Sequence, residues 1–309
     1  MHRIRDLLRA RFGAERVDVA WIGGSATWAA PVPECLPGVS PEDISYVSGV
    51  DTPWGPLGRL RLVSVEGKPL VRVPVHGWLD GEGRFQPSAE ASLRVFYVLR
   101  ALGVRLVLVD ASVGGITLAP GDLLVASDLL DQHNKGHAYD FARRLGLVPW
   151  LRLAQPYCPQ LRERLLAAAR SLLAQGPEVY RPLSGRVYGE GVYVTTPFGV
   201  FETAAEIQEY RRQGGSVVGQ SAGLETMLAR LCGMHLGHIA IAANWAEGLD
   251  DGRWIGDMGG FYRACARPMA ALGWEAVRSL MREGIALGAC ACETIAASTN
   301  LAGLPLPDA

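Results

Sequence analysis

Residues 104–116, VRLVLVDASVGGI, form an almost unbroken apolar run that ends in a glycine pair. A half-exposed strand would alternate apolar with polar residues, so a continuous run suits a strand buried on both faces. The neighbouring sequence supplies the layers such a strand needs. SAEASLRVFYVLRALG (88–103) starts with a capping serine, keeps its apolar positions at helical spacing and ends at a glycine. VDVAWIGG (17–24) is a strand ending in glycines, and GRLRLVSVEG and KPLVRVPVHG (58–77) are two strands joined by a Glu-Gly turn. Further on, PQLRERLLAAARSLLA reads as a helix, GVYVTTPFG as a strand and FETAAEIQEYRRQGG as a helix. SVVGQ is again a strand, SAGLETMLARLCG a helix, and HLGHIAIAANWAEG a strand plus loop. This alternation specifies an α/β fold. With no internal repeat and no Pro/Gly/Ser linker, residues 1–309 read as one domain.

Composition removes several function classes. Thirty Lys and Arg against 31 Asp and Glu leave no strong field to attract nucleic acid or an acidic membrane. No stretch approaches ~20 uninterrupted apolar residues, the length needed to span a bilayer. MHRIRDLLRARFG at the start is an amphipathic surface helix without the apolar core of a signal peptide. Six cysteines lie at 35, 158, 232, 265, 290 and 292. None forms a C-x-x-C pair, and Cys290 and Cys292 have no His or Cys nearby at metal-finger spacing. The expectation is a soluble cytoplasmic protein with reduced thiols and no metal.

GQSAG (219–223) fits G-x-S-x-G, the nucleophile elbow of α/β-hydrolases. That elbow needs an acid and then a histidine later in the chain. After Ser221 the histidines are His235 and His238, and the one acid before them, Glu225, sits a turn into the same helix. The hydrolase elbow is therefore a poor reading of Ser221. A serine opening a helix either caps it, here with Glu225 completing a loose capping pattern, or donates to an anion held by the unpaired N–H groups. Other strand ends favour the anion: Ser25 in GGS, His76 in HGW and Ser112 in ASVGG are donors suited to phosphate. In open α/β sheets ligands collect at the carboxyl ends of strands, and IAIAAN (239–244) adds a further end.

These segments resemble the trimeric nucleoside phosphorylases, the family of purine nucleoside and methylthioadenosine phosphorylases. IGGS is similar to the family's phosphate-binding turn, and VGGITLAPGDLLVASDLLD to its P-G-D segment. AQPYCPQLRERLLAAA resembles A-E-P-F-C-P and the helix after it, a mark of the methylthionucleoside branch. QPSAEASLRVFYVLRALGV, FETAAE and VVGQSAGLETMLARLCGM match in the same order along the chain. The resemblance implies a single domain with a mixed, partly barrel-like central sheet flanked by helices, assembled as a cytoplasmic homotrimer. It implies a pentosyltransferase of purine salvage that needs no cofactor and uses inorganic phosphate as co-substrate. Phosphate would be held by Ser25, His76, Ala111, Ser112 and Ser221. Gln220 would lie against the ribose, Phe201 on the base, Glu202 at its edge, and Asn244 at N7 and the 6-substituent. Of these, Asn244, His76 and Ser221 would carry the catalysis. Relatives acting on 6-aminopurines carry Asp at the position of Asn244 and again at that of Ala246, so this chain favours a 6-oxopurine.

The chain departs from the family pattern at several positions. Val75 stands where the family has an arginine before the histidine, which removes a fork suited to phosphate. Arg84 is the one candidate replacement in the loop WLDGEGRFQPS. Gln220 replaces a methionine and Leu224 a proline. PFGVF reorders the G-P-x-F loop. Ala111 replaces Thr or Asn beside Asp110, whose charge would repel phosphate unless it points away. Three readings stay open: a phosphorylase, a nucleoside hydrolase using water, and a noncatalytic nucleoside binder.

Overall fold

The computed structural model describes residues 2–75, 88–147, 150–249, 258–286 and 288–292. In chain order these form α1 (His2–Phe12), β1 (Val19–Gly23), β2 (Ile44–Val47), β3 (Leu60–Val65), β4 (Lys68–Pro74), α2 (Ser88–Ala101) and β5 (Leu106–Gly115). Next come β6 (Leu123–Val125), β7 (Asp128–Asp131), α3 (Lys135–Arg144), α4 (Pro159–Leu173), α5 (Pro177–Tyr180), β8 (Val187–Tyr188) and β9 (Val192–Thr195). The chain continues through α6 (Ala204–Arg212), β10 (Gly215–Gly219), α7 (Ala222–Leu231), β11 (His235–Trp245) and α8 (Met258–Glu283). All these strands belong to one mixed sheet whose main path runs β2-β3-β4-β1-β5-β10-β9-β7, with β11, β6 and β8 branching off β5.

The apolar run at 104–116 is the centre of this arrangement. Along β5, Val107, Val109, Ala111 and Val113 join one apolar layer, which includes α2 and α7 residues such as Phe96 and Leu228. Leu106 and Leu108 join the opposite layer, built from α4 and α8 through Leu161, Leu165, Met269 and Val277. Period-two side chains thus feed two cores, which is why residues 106–109 are apolar without alternation.

Local signals place the other elements. Glu66 (φ 51°) and Gly67 (φ 78°) both take left-handed backbone, as a two-residue type I′ hairpin between β3 and β4 requires. Thr203 accepts from the Glu206 N–H while Glu206 accepts from the Thr203 N–H, a reciprocal cap that starts α6. One long element escapes the sequence reading. The 26-residue α8 contains Pro268 and several glycines that weaken helix propensity. It forms because its apolar face has a core to cover. Trp54 stacks on Phe141 with ring centroids 5.3 Å apart and meets Tyr97 edge-on.

Candidate active site

Strand β5 shares one edge between two neighbours. β1 pairs in parallel with Leu106–Asp110, and β10 pairs antiparallel with Gly114 and Gly115. Residues 111–113 therefore lack a ladder partner on that edge. The sheet parts there, at a topological switch point where α/β folds take ligands. A cavity of about 300 Å³ opens beside it, lined among others by Ser25, Ser112, Ser221, Phe201, Glu202 and Asn244.

The gap frees the Ser112 N–H, which donates to Ser25 Oγ (3.2 Å). The two hydroxyls lie 2.5 Å apart, and Ser112 Oγ donates to the Tyr262 hydroxyl (3.1 Å). Three hydroxyls thus stand in a row on one wall. The turn bearing Ser25 fits only without side chains before it. A methyl on Gly23 would overlap the Arg72 guanidinium, and one on Gly24 the Asp110 carbonyl.

Asp110 points away from the cavity. Its carboxylate accepts from Trp21 Nε1 (2.9 Å), the Gly24 N–H (3.1 Å) and Thr27 Oγ1 (3.0 Å). Arg72 lies beneath the same turn. It donates to Thr27 Oγ1 (2.9 Å) and the Val73 carbonyl (3.1 Å), with its guanidinium 4.4 Å from the Trp21 ring centre. Burial pushes the Asp110 carboxyl upward, against the lowering effect of Arg72 and the hydrogen bonds. Burial also draws the Arg72 guanidinium down to about 10, although Asp110 opposes this. The opposed charges stay under the floor, so Asp110 leaves the anion seat free of its repulsion. Val75 is buried in the core, and its N–H donates to the Gly23 carbonyl (3.0 Å).

Ser221 opens α7 but makes no side-chain cap. The capping alternative fails at Glu225 as well. That side chain is fully buried, accepts from Ser92 Oγ (3.4 Å), and is pushed by burial up to about 8. The Ser221 N–H approaches the Tyr193 hydroxyl (3.5 Å), and the residue lines the cavity.

Further lining comes from β11 and the loop after β9. In the β5–β11 ladder Ala242 faces Val113 and Asn244 faces Gly114, so Ala243 is the extra residue of a bulge. A bulge shifts the side-chain phase, and this one turns Asn244 to the cavity. Asn244 Nδ2 donates to the Trp245 carbonyl (2.7 Å). Glu202 accepts from Thr196 Oγ1. Gln220 spans the mouth: its Oε1 accepts from the Gly199 N–H (3.1 Å) and its Nε2 donates to the Val200 carbonyl (2.9 Å). The amide thereby fixes the loop that carries Phe198 and Phe201, both more than half exposed.

The cavity thus gathers Ser25, Ser112, Phe201, Glu202, Gln220, Ser221, Asn244 and Ala246. Ala111 is buried in the core layer behind them. His76 and Arg84 lie outside the described residues. Among the described lining residues there is no lysine or arginine, while Glu202 and Glu247 supply two carboxylates. Sequence reasoning missed Tyr262, Phe198 and Glu247. Tyr262 belongs to α8, whose broken helical pattern hid it, and its hydroxyl contact with Ser112 has no signature in the chain. Phe198 was visible in the PFGVF loop.

Comparison with known proteins accords with this geometry. The family model described as "Phosphorylase superfamily" matches residues 20–278. The chain is 32% identical over 241 residues to the 6-oxopurine nucleoside phosphorylase of Pyrococcus furiosus, covering 75% of this chain and 80% of that protein. It is 32% identical over 209 residues to a Methanopyrus kandleri protein named "Probable S-methyl-5'-thioinosine phosphorylase", covering 66% and 74%. A methylthioadenosine phosphorylase structure sourced from an antarctic soil metagenomic library superposes with a TM-score of 0.70 at 19% identity, covering 91% of each chain. The apo methylthioadenosine phosphorylase of Schistosoma mansoni gives 0.68 at 22% identity, covering 92% of this chain and 98% of that one. At such identities these two structures speak for the fold.

Proposed function

Because this chain belongs to the phosphorylase superfamily, we propose that its switch-point cavity carries out phosphorolysis of a purine nucleoside, releasing free base and a ribose 1-phosphate. The observation that carries this reading is the mixed lining of a single cavity. Ser25, Ser112 and Ser221, all hydroxyl residues, line it together with Asn244 and Glu202.

Breaking the base–ribose bond builds positive charge on the sugar and negative charge on the purine. An enzyme gains rate by meeting both as they develop. Phosphate sits among the three serine hydroxyls at the positive end of α7, where an anion is favoured; a role for His76 beside them rests on the family resemblance alone. Held there, phosphate is both the nucleophile and the counter-charge of the cationic sugar. Asn244 donates an N–H to the departing base, and Phe201 packs on the purine face. Glu202 accepts from the N1–H of a 6-oxopurine. An amide can donate to O6 and N7, so inosine-type substrates suit this lining, in keeping with relatives named for 6-oxopurine and methylthioinosine nucleosides. The three hydroxyls supply donors to phosphate without the charge of the arginine whose place Val75 takes.

The protein is further read as a cytoplasmic homotrimer acting in purine salvage. Two features support this: the six cysteines are unpaired, and the loop with Phe198, Val200 and Phe201 presents apolar surface at the cavity mouth that a neighbouring subunit can cover. No helix among the described residues is long and apolar enough to cross a membrane.

The test is hypoxanthine release from inosine and from 5′-methylthioinosine, with and without inorganic phosphate. Phosphate-dependent release with formation of the sugar 1-phosphate is expected. Equal release without phosphate would establish a hydrolase, and nucleoside binding without turnover a carrier. Sedimentation at micromolar chain concentration checks the trimer.

A further inference from the structure

Along the chain the cysteines show no metal-finger spacing, but folding brings four ligand-type side chains to one point. The ligand atoms of Cys158, His235, Cys290 and Cys292 all lie within 4.8 Å of one another. Cys158 Sγ is 3.5 Å from His235 Nδ1 and 3.9 Å from Cys290 Sγ, and Cys290 Sγ is 3.3 Å from the same nitrogen. Cys158, His235 and Cys292 are buried, and Cys290 is half-buried.

These spacings can be set against a tetrahedral zinc site. Zn–S bonds of about 2.3 Å and Zn–N bonds of about 2.0–2.1 Å place ligand sulfurs ~3.8 Å apart and sulfur ~3.5 Å from nitrogen. The observed separations fall close to those values without rearrangement. A bonded sulfur pair would be about 2.05 Å apart, far closer than Cys158 and Cys290. Hydrogen bonding gives little reason for the convergence, since a thiol is a weak donor and a weak acceptor. We propose that Cys158, His235, Cys290 and Cys292 form a structural Cys3His site for a zinc-class dication.

The surroundings fit that role. Three thiolates and one neutral imidazole around a dication leave one negative charge. Arg230 is buried, has no hydrogen-bond partner on any guanidinium nitrogen among the described residues, and acts electrostatically on Cys292. Its positive charge offsets the excess. The segments that carry the ligands are also tied into the fold by hydrogen bonds. Cys158 immediately precedes α4, and its N–H donates to the Leu236 carbonyl (2.8 Å). His235 starts β11 and donates its N–H to the Arg105 carbonyl (2.8 Å). The segment bringing Cys290 and Cys292 is clasped to α4 by Gln160, whose amide exchanges two hydrogen bonds with the Ala286 backbone (2.9 and 3.0 Å).

With thiol and imidazole ligands filling all four positions, the ion has no open site for substrate, so its work is cross-linking. It joins α4, β11 and the segment that follows α8. Metal binding becomes folding free energy for that junction, and through α8 it steadies the helix that carries Tyr262 to the cavity.

The test uses the full chain, produced in zinc-supplemented medium, purified with a phosphine reductant and dialysed against metal-free buffer. Elemental analysis should find close to one zinc per chain. Replacement by Co(II) should give a thiolate-to-cobalt charge-transfer band and the visible bands of a tetrahedral centre. Cys290→Ser and Cys292→Ser should each lower retained zinc at least tenfold, whereas Cys35→Ser and Cys232→Ser should keep it. Less than a tenth of an equivalent of zinc in the wild type with no cobalt–thiolate band overturns the proposal, whatever the variants do. So does equal zinc in all four variants, or a disulfide among these cysteines in the reduced preparation.

Discussion

At its carboxyl end β11 turns Asn244 into a cavity of hydroxyls and carboxylates, whereas its first residue, His235, sits among three thiols. Some nine residues of strand, roughly 30 Å, separate the two. At the Asn244 end the sheet has parted and polar atoms face space that a ligand can fill. At the His235 end the ligand atoms face one another, and the segment after α8 closes over them. One strand therefore serves two chemistries: a site that must open to exchange small molecules, and a junction that gains by staying closed. The Arg72–Asp110 arrangement follows the same rule. The Asp110 carboxylate, whose charge would repel an anion, is turned away from the seat and hydrogen-bonded beneath the turn.

This contrast can be broken in several places. The largest effect is expected for Arg72→Met, which leaves Asp110 buried without its counter-charge and costs about 3–5 kcal/mol in urea unfolding. A loss below about 1 kcal/mol would mean the two charges act independently.

Asn244→Ala attacks the open end. It should reduce kcat/KM for the preferred nucleoside by about 10²–10³-fold, the usual cost of one lost donor to a developing anion, with little change in melting temperature. Unchanged turnover would place the leaving-group contact elsewhere.

Glu225→Gln probes the buried side of α7. Folding raises this carboxyl from 4.5 to about 8, so the neutral acid is favoured in the folded chain. Its stabilising contribution is complete below about pH 4.5 and is lost as pH rises through 8. Between pH 6 and pH 9 the wild type should lose on the order of 2–3 kcal/mol more stability than Glu225→Gln. Parallel stability curves for the two proteins would contradict this.

Ser221→Ala should raise the KM for phosphate by roughly 10-fold, the worth of one hydrogen bond to a charged group, and leave nucleoside affinity nearly unchanged. The smallest effect belongs to the closed end. Stripping zinc with a chelator should lower the melting temperature, yet alter kcat at 25 °C less than about twofold, because the ion touches no reacting atom. A large loss of kcat with unchanged melting would reverse the assignment of roles to the two ends.

Much of this molecule is legible in the chain. The run at 104–116 announces a central strand because burial on both faces leaves no room for polar alternation. Gly23, Gly24 and Ser25 announce a turn against a ligand, and the order of acids and histidines removes Ser221 from nucleophilic catalysis. These inferences rest on near neighbours, where sequence spacing is spatial spacing. Tyr262, Arg72 and the thiol cluster are different. The Ser112–Tyr262 contact joins residues 150 apart, and Cys158 meets Cys290 across 132, so no local period reports them. The bulge at Ala243 is likewise set by pairing with β5 and has no mark of its own in IAIAAN. Sequence by itself determined the layers and the strand ends, since both follow from the periodicity of apolar burial. Only the tertiary structure decided which charges are hidden, which hydroxyls align and which thiols converge, because those depend on how distant segments pack.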